Sequence, residues 1–112
     1  MLLDLTFYAG HKIQLSLFNI ILVYSDLELP LTHIELIDKS VIGVRETLEE
    51  IWQQSQDSLC LVILPDNSKM LMTPRTILYT YTSLDTGELT IKTVKGDLVP
   101  IKRIVINTRV AE

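Results

Sequence analysis

Cysteine and glycine are scarce in this chain of 112 residues. The one cysteine, Cys60, excludes an intramolecular disulfide, and its apolar neighbours Leu59, Leu61 and Val62 indicate a buried thiol. Burial would raise the pKa of that thiol, so we do not expect it to act as a nucleophile. With only four glycines, the chain has no glycine-rich loop of the kind that cradles phosphate groups.

Long apolar runs and metal-ligand spacings are also missing. No run approaches the roughly 20 apolar residues that span a bilayer, and no signal-peptide pattern opens the chain, so we expect a cytoplasmic protein. His11 and His33 lie in or beside turns, without a second ligand at a metal-binding spacing. Asp26 and Glu28 fit a polar loop better than a catalytic pair. We therefore expect no enzyme activity, metal, cofactor or small-molecule substrate.

Basic residues are fewer than acidic ones and are unevenly distributed. The net charge of −4 disfavours nucleic acid as a partner. Residues 1–65 hold nine acidic and three basic residues, whereas residues 66–111 hold four acidic and seven basic ones. The positive second half indicates either a surface that faces a polyanion or a solvated face of mixed charge.

Alternation of apolar and polar residues dominates the rest of the sequence. Apolar residues make up 47% of the chain, enough for one core, so we expect residues 1–112 to form a single domain. The alternation and the turn residues between the runs predict antiparallel strands. These strands are expected near residues 3–7, 13–16, 20–24, 32–37, 41–45, 59–64, 69–72, 77–82, 89–93, 98–101 and 104–110. The fold class is therefore mainly β, with a small barrel-like or sandwich-like arrangement.

One segment departs from the β pattern. Leu48, Ile51 and Trp52 fall at helical spacing. Thr47 and Glu50 form a capping-box pattern, in which each side chain accepts a hydrogen bond from a backbone amide at the helix start. The sequence thus predicts one short α-helix near residues 47–56, with a structural role.

The two halves of the chain resemble each other when the sequence is shifted by 57 positions. The shift aligns Lys12 with Lys69, Ile20 with Ile77, Tyr24 with Tyr81, Ile34 with Ile91 and Arg45 with Lys102, without a gap. Such similarity suggests a repeated supersecondary unit, here residues 1–57 and 58–112. Chance agreement between two alternating β patterns is the alternative.

Four basic residues of the second half are candidates for binding nucleic acid. Lys69 and Arg75 flank the break at Thr73, and Lys102 and Arg103 lie near the last predicted strand. Cations in these places would neutralise phosphates along a DNA or RNA backbone. Two further lysines, at positions 92 and 95, are equally well explained as charges that keep an exposed strand from aggregating.

The order of elements resembles that of the LytTR family. Residues 20–26 (IILVYSD) and 33–51 are similar to the first half of that domain, and residues 85–103 to its closing hairpin. The resemblance implies an elongated β domain with a short helix that inserts loops into successive major grooves of DNA, with Lys69, Arg75, Lys102 and Arg103 as the contacts. The chain departs from the family at Asp66, where a basic, histidine-containing stretch is usual.

A second resemblance points to a different class of function. Five short strands in each half resemble small barrels of the Sm-like or SH3-like type, which assemble through strand edges into rings. The first half alone is similar to small flagellar proteins of the FlbD type. These resemblances imply an oligomeric interaction module that binds RNA or protein and associates with itself through strand edges.

Overall fold

The structure, a computed structural model, describes residues 1–25, 31–56 and 58–105. It confirms a mainly β fold of antiparallel strands with one α-helix. The strands are β1 (Leu2–Thr6), β2 (Lys12–Ser16), β3 (Ile20–Ser25), β4 (Thr32–Leu36), β5 (Val41–Val44), β6 (Cys60–Ile63), β7 (Lys69–Met72), β8 (Ile77–Thr82), β9 (Leu89–Thr93), β10 (Leu98–Ile101) and β11 (Arg103–Val105). Most of the predicted strand at 104–110 lies outside the described residues, as do Asp26 and Glu28, for which the sequence predicts a polar loop.

The same series of elements occurs twice along the chain, 57 positions apart. Strands β1 to β5 form a hairpin, a 3-10 turn and a three-stranded meander, and β6 to β10 repeat this series. The sequence did not predict the two 3-10 turns, Leu17–Asn19 and Pro74–Thr76. Equivalent turns share their backbone conformation, since φ is positive at both Lys39 (73°) and Gly96 (93°). We call residues 1–56 the first unit and residues 58–105 the second unit.

The described strands form three antiparallel sheets, and one of these sheets joins the two units. β1 pairs with β2, β9 pairs with β8 and β10, and the six-stranded sheet has the order β11-β6-β7-β3-β4-β5. In that larger sheet, β3 of the first unit pairs with β7 of the second, and Val23 lies opposite Leu71. We call this β3–β7 pairing the inter-unit junction.

Two apolar cores lie one in each unit, and the second unit also contributes Leu59, Leu61 and Leu71 to the core of the first. Leu71 of the second unit belongs to the core of the first, where it is fully buried, and Leu22 of the first unit packs against the core of the second. Full burial of such a side chain contributes about 1.5–3 kcal/mol. A buried hydrogen bond of 2.6 Å, from the Thr73 hydroxyl to the carbonyl oxygen of Ile20, reinforces the junction.

The single helix of the described residues, α1 (Leu48–Ser55), closes the core of the first unit. Its predicted capping box is confirmed, because Thr47 accepts a hydrogen bond from the Glu50 amide and Glu50 accepts one from the Thr47 amide. Leu48 and Ile51 are buried. In the part of the chain that the structure describes, no helix is both long and apolar enough to cross a bilayer.

Candidate functional site

Three of the four predicted nucleic-acid contacts lie together at one end of the six-stranded sheet. Lys69 on β7 and Arg103 on β11 both lie opposite Ile63 of β6, one on each side of it. Residues in such a row share a face of the sheet, and strands are about 4.8 Å apart, so the two Cα atoms are separated by about 10 Å. Lys102 adjoins Arg103, and its ammonium group donates to the Asn67 side-chain oxygen at 2.7 Å. We call Lys69, Lys102 and Arg103 the basic corner.

The fourth predicted contact, Arg75, is not part of the basic corner. It lies in the 3-10 turn after β7, and its guanidinium group is 5.5 Å from the centre of the Phe18 ring. Lys69 is the first residue of β7, and Arg75 follows the end of that strand. Because a strand rises about 3.4 Å per residue, the two residues lie at opposite ends of β7. Arg75 thus lies apart from the other three cations, and nucleic-acid contact by all four stays a prediction.

Two carboxylates reduce the positive charge of the basic corner. The Glu49 carboxylate on α1 lies 4.0 Å from the Lys69 ammonium group. In the turn between β6 and β7, Asp66 accepts hydrogen bonds from the hydroxyl and the backbone amide of Ser68, which hold the pKa of Asp66 below its ordinary value. Asp66 therefore stays ionised well below neutral pH, and the corner is mixed in charge.

The two lysines that sequence reasoning left open have local partners. The Lys95 ammonium group forms an ion pair with the Glu35 carboxylate, and the Lys92 ammonium group donates to the Gly96 carbonyl oxygen at 3.1 Å. Lys95 thereby links the β9–β10 turn of the second unit to β4 of the first. These contacts tie both ammonium groups to acceptors within the protein.

Groups that support catalysis are sparse in the described residues. Within ranges 1–25, 31–56 and 58–105, no cluster of three or more His, Cys, Asp or Glu side chains could hold a metal ion. Cys60 is a buried free thiol, and burial raises its pKa, as the sequence predicts. A thiol with a raised pKa is a poor nucleophile at neutral pH.

Strand β8 is a surface that sequence reasoning missed. It forms one edge of the three-stranded sheet, and it contains no charged residue. Leu78, Tyr79 and Tyr81 on it are 57%, 53% and 40% exposed, and the two tyrosine rings lie 6.1 Å apart. The sequence predicts a strand at residues 77–82 but does not indicate that its side chains are exposed.

The chain was compared with protein-family models, with curated proteins and with solved structures, and none of these comparisons gives a match. Function therefore has to be inferred from the arrangement of the residues themselves.

Proposed function

We propose that the protein is a non-catalytic interaction module that assembles with further copies of itself through free strand edges. The observation that carries this proposal is β8, an uncharged edge strand with exposed apolar and aromatic side chains. An edge strand presents a row of unpaired backbone amide and carbonyl groups, and it pairs readily with another strand unless something blocks it. Among the described strands, none pairs with the outer edge of β8.

In the two smaller sheets, the outer edges of β1 and β10 are blocked, whereas β8 and β2 each keep an outer edge to which no described strand pairs. On β1, Asp4 exchanges two hydrogen bonds of 2.9 Å with the Gln54 side chain, and the Thr6 amide donates to Glu46 at 2.7 Å. On β10, Pro100 has no amide hydrogen to offer a neighbouring strand. Comparable protection is absent from β8 within the described residues.

Analytical ultracentrifugation over a series of concentrations tests this proposal. The wild-type protein is expected to sediment as species heavier than the 12.8 kDa monomer, in proportions that rise with concentration. A single monomeric species at the highest concentration reached would contradict the proposal.

Nucleic-acid binding is a second candidate function, supported by the basic corner. Lys69, Lys102 and Arg103 lie close enough to contact neighbouring phosphates, and Asn67 adds a polar side chain beside them. Phosphate neutralisation by such cations drives sequence-independent binding. Glu49, Asp66 and the net charge of −4 act against it, which places this function second.

Fluorescence anisotropy with a labelled mixed-sequence DNA duplex, at low and near-physiological salt, tests the second candidate. Lys102→Ala and Arg103→Ala should each weaken binding and lower the slope of log K against log salt by about 1, because each removes one phosphate contact. Arg75→Ala removes the same charge away from the basic corner, so it serves as the matched control and should change binding little. No binding at low salt, or an equal effect of Arg75→Ala, would argue against the basic corner.

A further inference from the structure

We infer that the strand that pairs with β8 is β2 of a second copy of this chain, so that copies associate head to tail. The inference rests on the proposed self-assembly and specifies its geometry. Its basis is the internal repeat: the contact between the first and second units within one chain recurs between the second unit of one copy and the first unit of the next.

The repeat allows the contact between copies to be inferred from the β3–β7 contact within the chain. β8 is the equivalent of β3, and β2 is the equivalent of β7, each 57 positions away. Because β3 pairs with β7, the repeat assigns β8 to β2 as its partner. Within one chain β8 and β2 belong to different sheets and do not pair. The relation between units therefore does not close on two units, and a relation that does not close extends to further copies, in a ring or a filament.

The backbone groups that the pairing needs point outwards on both strands. The Phe7 amide donates to the His11 carbonyl, and alternation along the β1–β2 ladder then directs the amide and carbonyl of Gln14 away from β1. In the same way, the bond from the Ser83 amide to the Glu88 carbonyl directs those of Thr80 away from β9. Gln14 and Thr80 are the equivalents of Leu71 and Val23, which face each other in the inter-unit junction.

The same shift fixes the register and accounts for the exposed tyrosines. In the inter-unit junction, Leu22 lies opposite Met72 and Tyr24 opposite Met70. The equivalent pairs are Tyr79 with Leu15 of the next copy, and Tyr81 with Ile13 of the next copy. Leu15 and Ile13 are half-buried at the border of the first core. Tyr79 and Tyr81 would therefore cover this border, as Leu22 covers the core of the second unit.

A side chain that anchors the junction also has an equivalent. Thr73, whose hydroxyl donates to the Ile20 carbonyl, corresponds to Ser16 at the end of β2, and Ile20 corresponds to Ile77. Serine keeps the hydroxyl, so Ser16 of the next copy can donate to the Ile77 carbonyl in the same way.

On the other face of the paired strands, the proposed contact between copies is more polar than the inter-unit junction. Gln14 and Thr80 stand where the junction has the buried Leu71 and Val23, so less apolar surface is removed from water. Association between copies should therefore be weaker than the contact between units, and it should depend on concentration.

Disulfide trapping between two different single-cysteine variants tests this geometry. Gln14→Cys and Thr80→Cys are each made in a Cys60→Ala background, which removes the one natural cysteine. Directly opposed residues of a hydrogen-bonded antiparallel pair have Cα atoms about 5.5 Å apart, a separation that suits a disulfide. After mixing at an assembling concentration and mild oxidation, a covalent dimer should form in the mixture and be lost when either variant is oxidised alone. Lys12→Cys mixed with Thr80→Cys is the off-register control and should give little dimer.

The outcomes separate this inference from the proposed function. Efficient dimer formation by Thr80→Cys alone would mean that β8 pairs with β8, and it would overturn the head-to-tail arrangement. No dimer in the mixture, although the variants sediment as oligomers, would also overturn it and leave self-assembly intact. Monomeric sedimentation of the wild type would contradict both the proposed self-assembly and the head-to-tail arrangement.

Discussion

Glu46 is the residue that ties the start of α1 to the outer edge of β1. Its carboxylate accepts hydrogen bonds from the amide and the hydroxyl of Thr6, at 2.7 and 2.9 Å. Burial by itself would raise the pKa of Glu46, but the hydrogen bonds from Thr6, with Lys12 nearby, outweigh it and hold this pKa below its ordinary value. The ionised form is therefore favoured by folding. Its contribution to stability is present above the ordinary pKa of a glutamate and is lost as the pH falls through the lower pKa of the folded state.

Substitution of Glu46 should change both stability and its dependence on pH. Glu46→Ala should lower the free energy of unfolding by about 1–2 kcal/mol at neutral pH, because it leaves the Thr6 amide and hydroxyl without their partner. Glu46→Gln keeps a side-chain acceptor but cannot ionise, so its difference from the wild type should shrink in acid. Urea unfolding at neutral and acidic pH measures these differences. A Glu46→Gln difference that stays constant with pH would contradict the assigned role.

At the scale of elements, Thr73 joins the end of β7 to the start of β3. Thr73→Val keeps the shape of the side chain but leaves the buried Ile20 carbonyl without its 2.6 Å hydrogen bond. The free energy of unfolding should fall by about 1–3 kcal/mol, the usual cost of a buried polar group left unsatisfied. Thr73→Ser is the matched control, since it retains the hydroxyl and should lose less. Chemical denaturation checks both variants, and a Val variant as stable as the wild type beside a destabilised Ser variant would show that the methyl group, not the hydroxyl, matters.

The elements that could be predicted from the sequence are those with local causes. The capping box at Thr47 and Glu50 depends on residues three positions apart, and alternation revealed the strands of both units. The 3-10 turns were missed because Leu17–Asn19 interrupts no apolar pattern. The sheet order was not predicted, since nothing near Val23 in sequence indicates that it faces Leu71 rather than β2 of its own unit.

The candidate site could be predicted only in part, for the same reason. Lys102 and Arg103 are neighbours in sequence, and Lys69 joins them only because β7 and β11 flank β6. Arg75 is closer to Lys69 in sequence, yet β7 carries it away. The exposure of Tyr79 and Tyr81 follows from the edge position of β8, and sheet order decides which strand is at the edge.

For the whole molecule, the repeat and its unequal surroundings connect the fold to the proposed function. β3 and β7 are covered on both edges within the six-stranded sheet, whereas their equivalents β8 and β2 each have a neighbour on one edge only among the described strands. A chain with two units therefore forms one inter-unit contact within itself, between β3 and β7. It leaves the equivalent strands β8 and β2 open for the same contact with other copies. This asymmetry is what predicts assembly of several copies.

Sedimentation of Thr80→Pro beside the wild type at one concentration tests this claim most directly. Proline removes the outward amide hydrogen of Thr80, which the β8–β9 ladder does not use, and Leu98→Pro places a proline on the outer edge of β10 as the matched control. Circular dichroism confirms that each variant is folded. We predict that the wild type and Leu98→Pro sediment as oligomers while Thr80→Pro remains a monomer of about 12.8 kDa. A folded Thr80→Pro protein that assembles as fully as the wild type would contradict the role of the β8 edge.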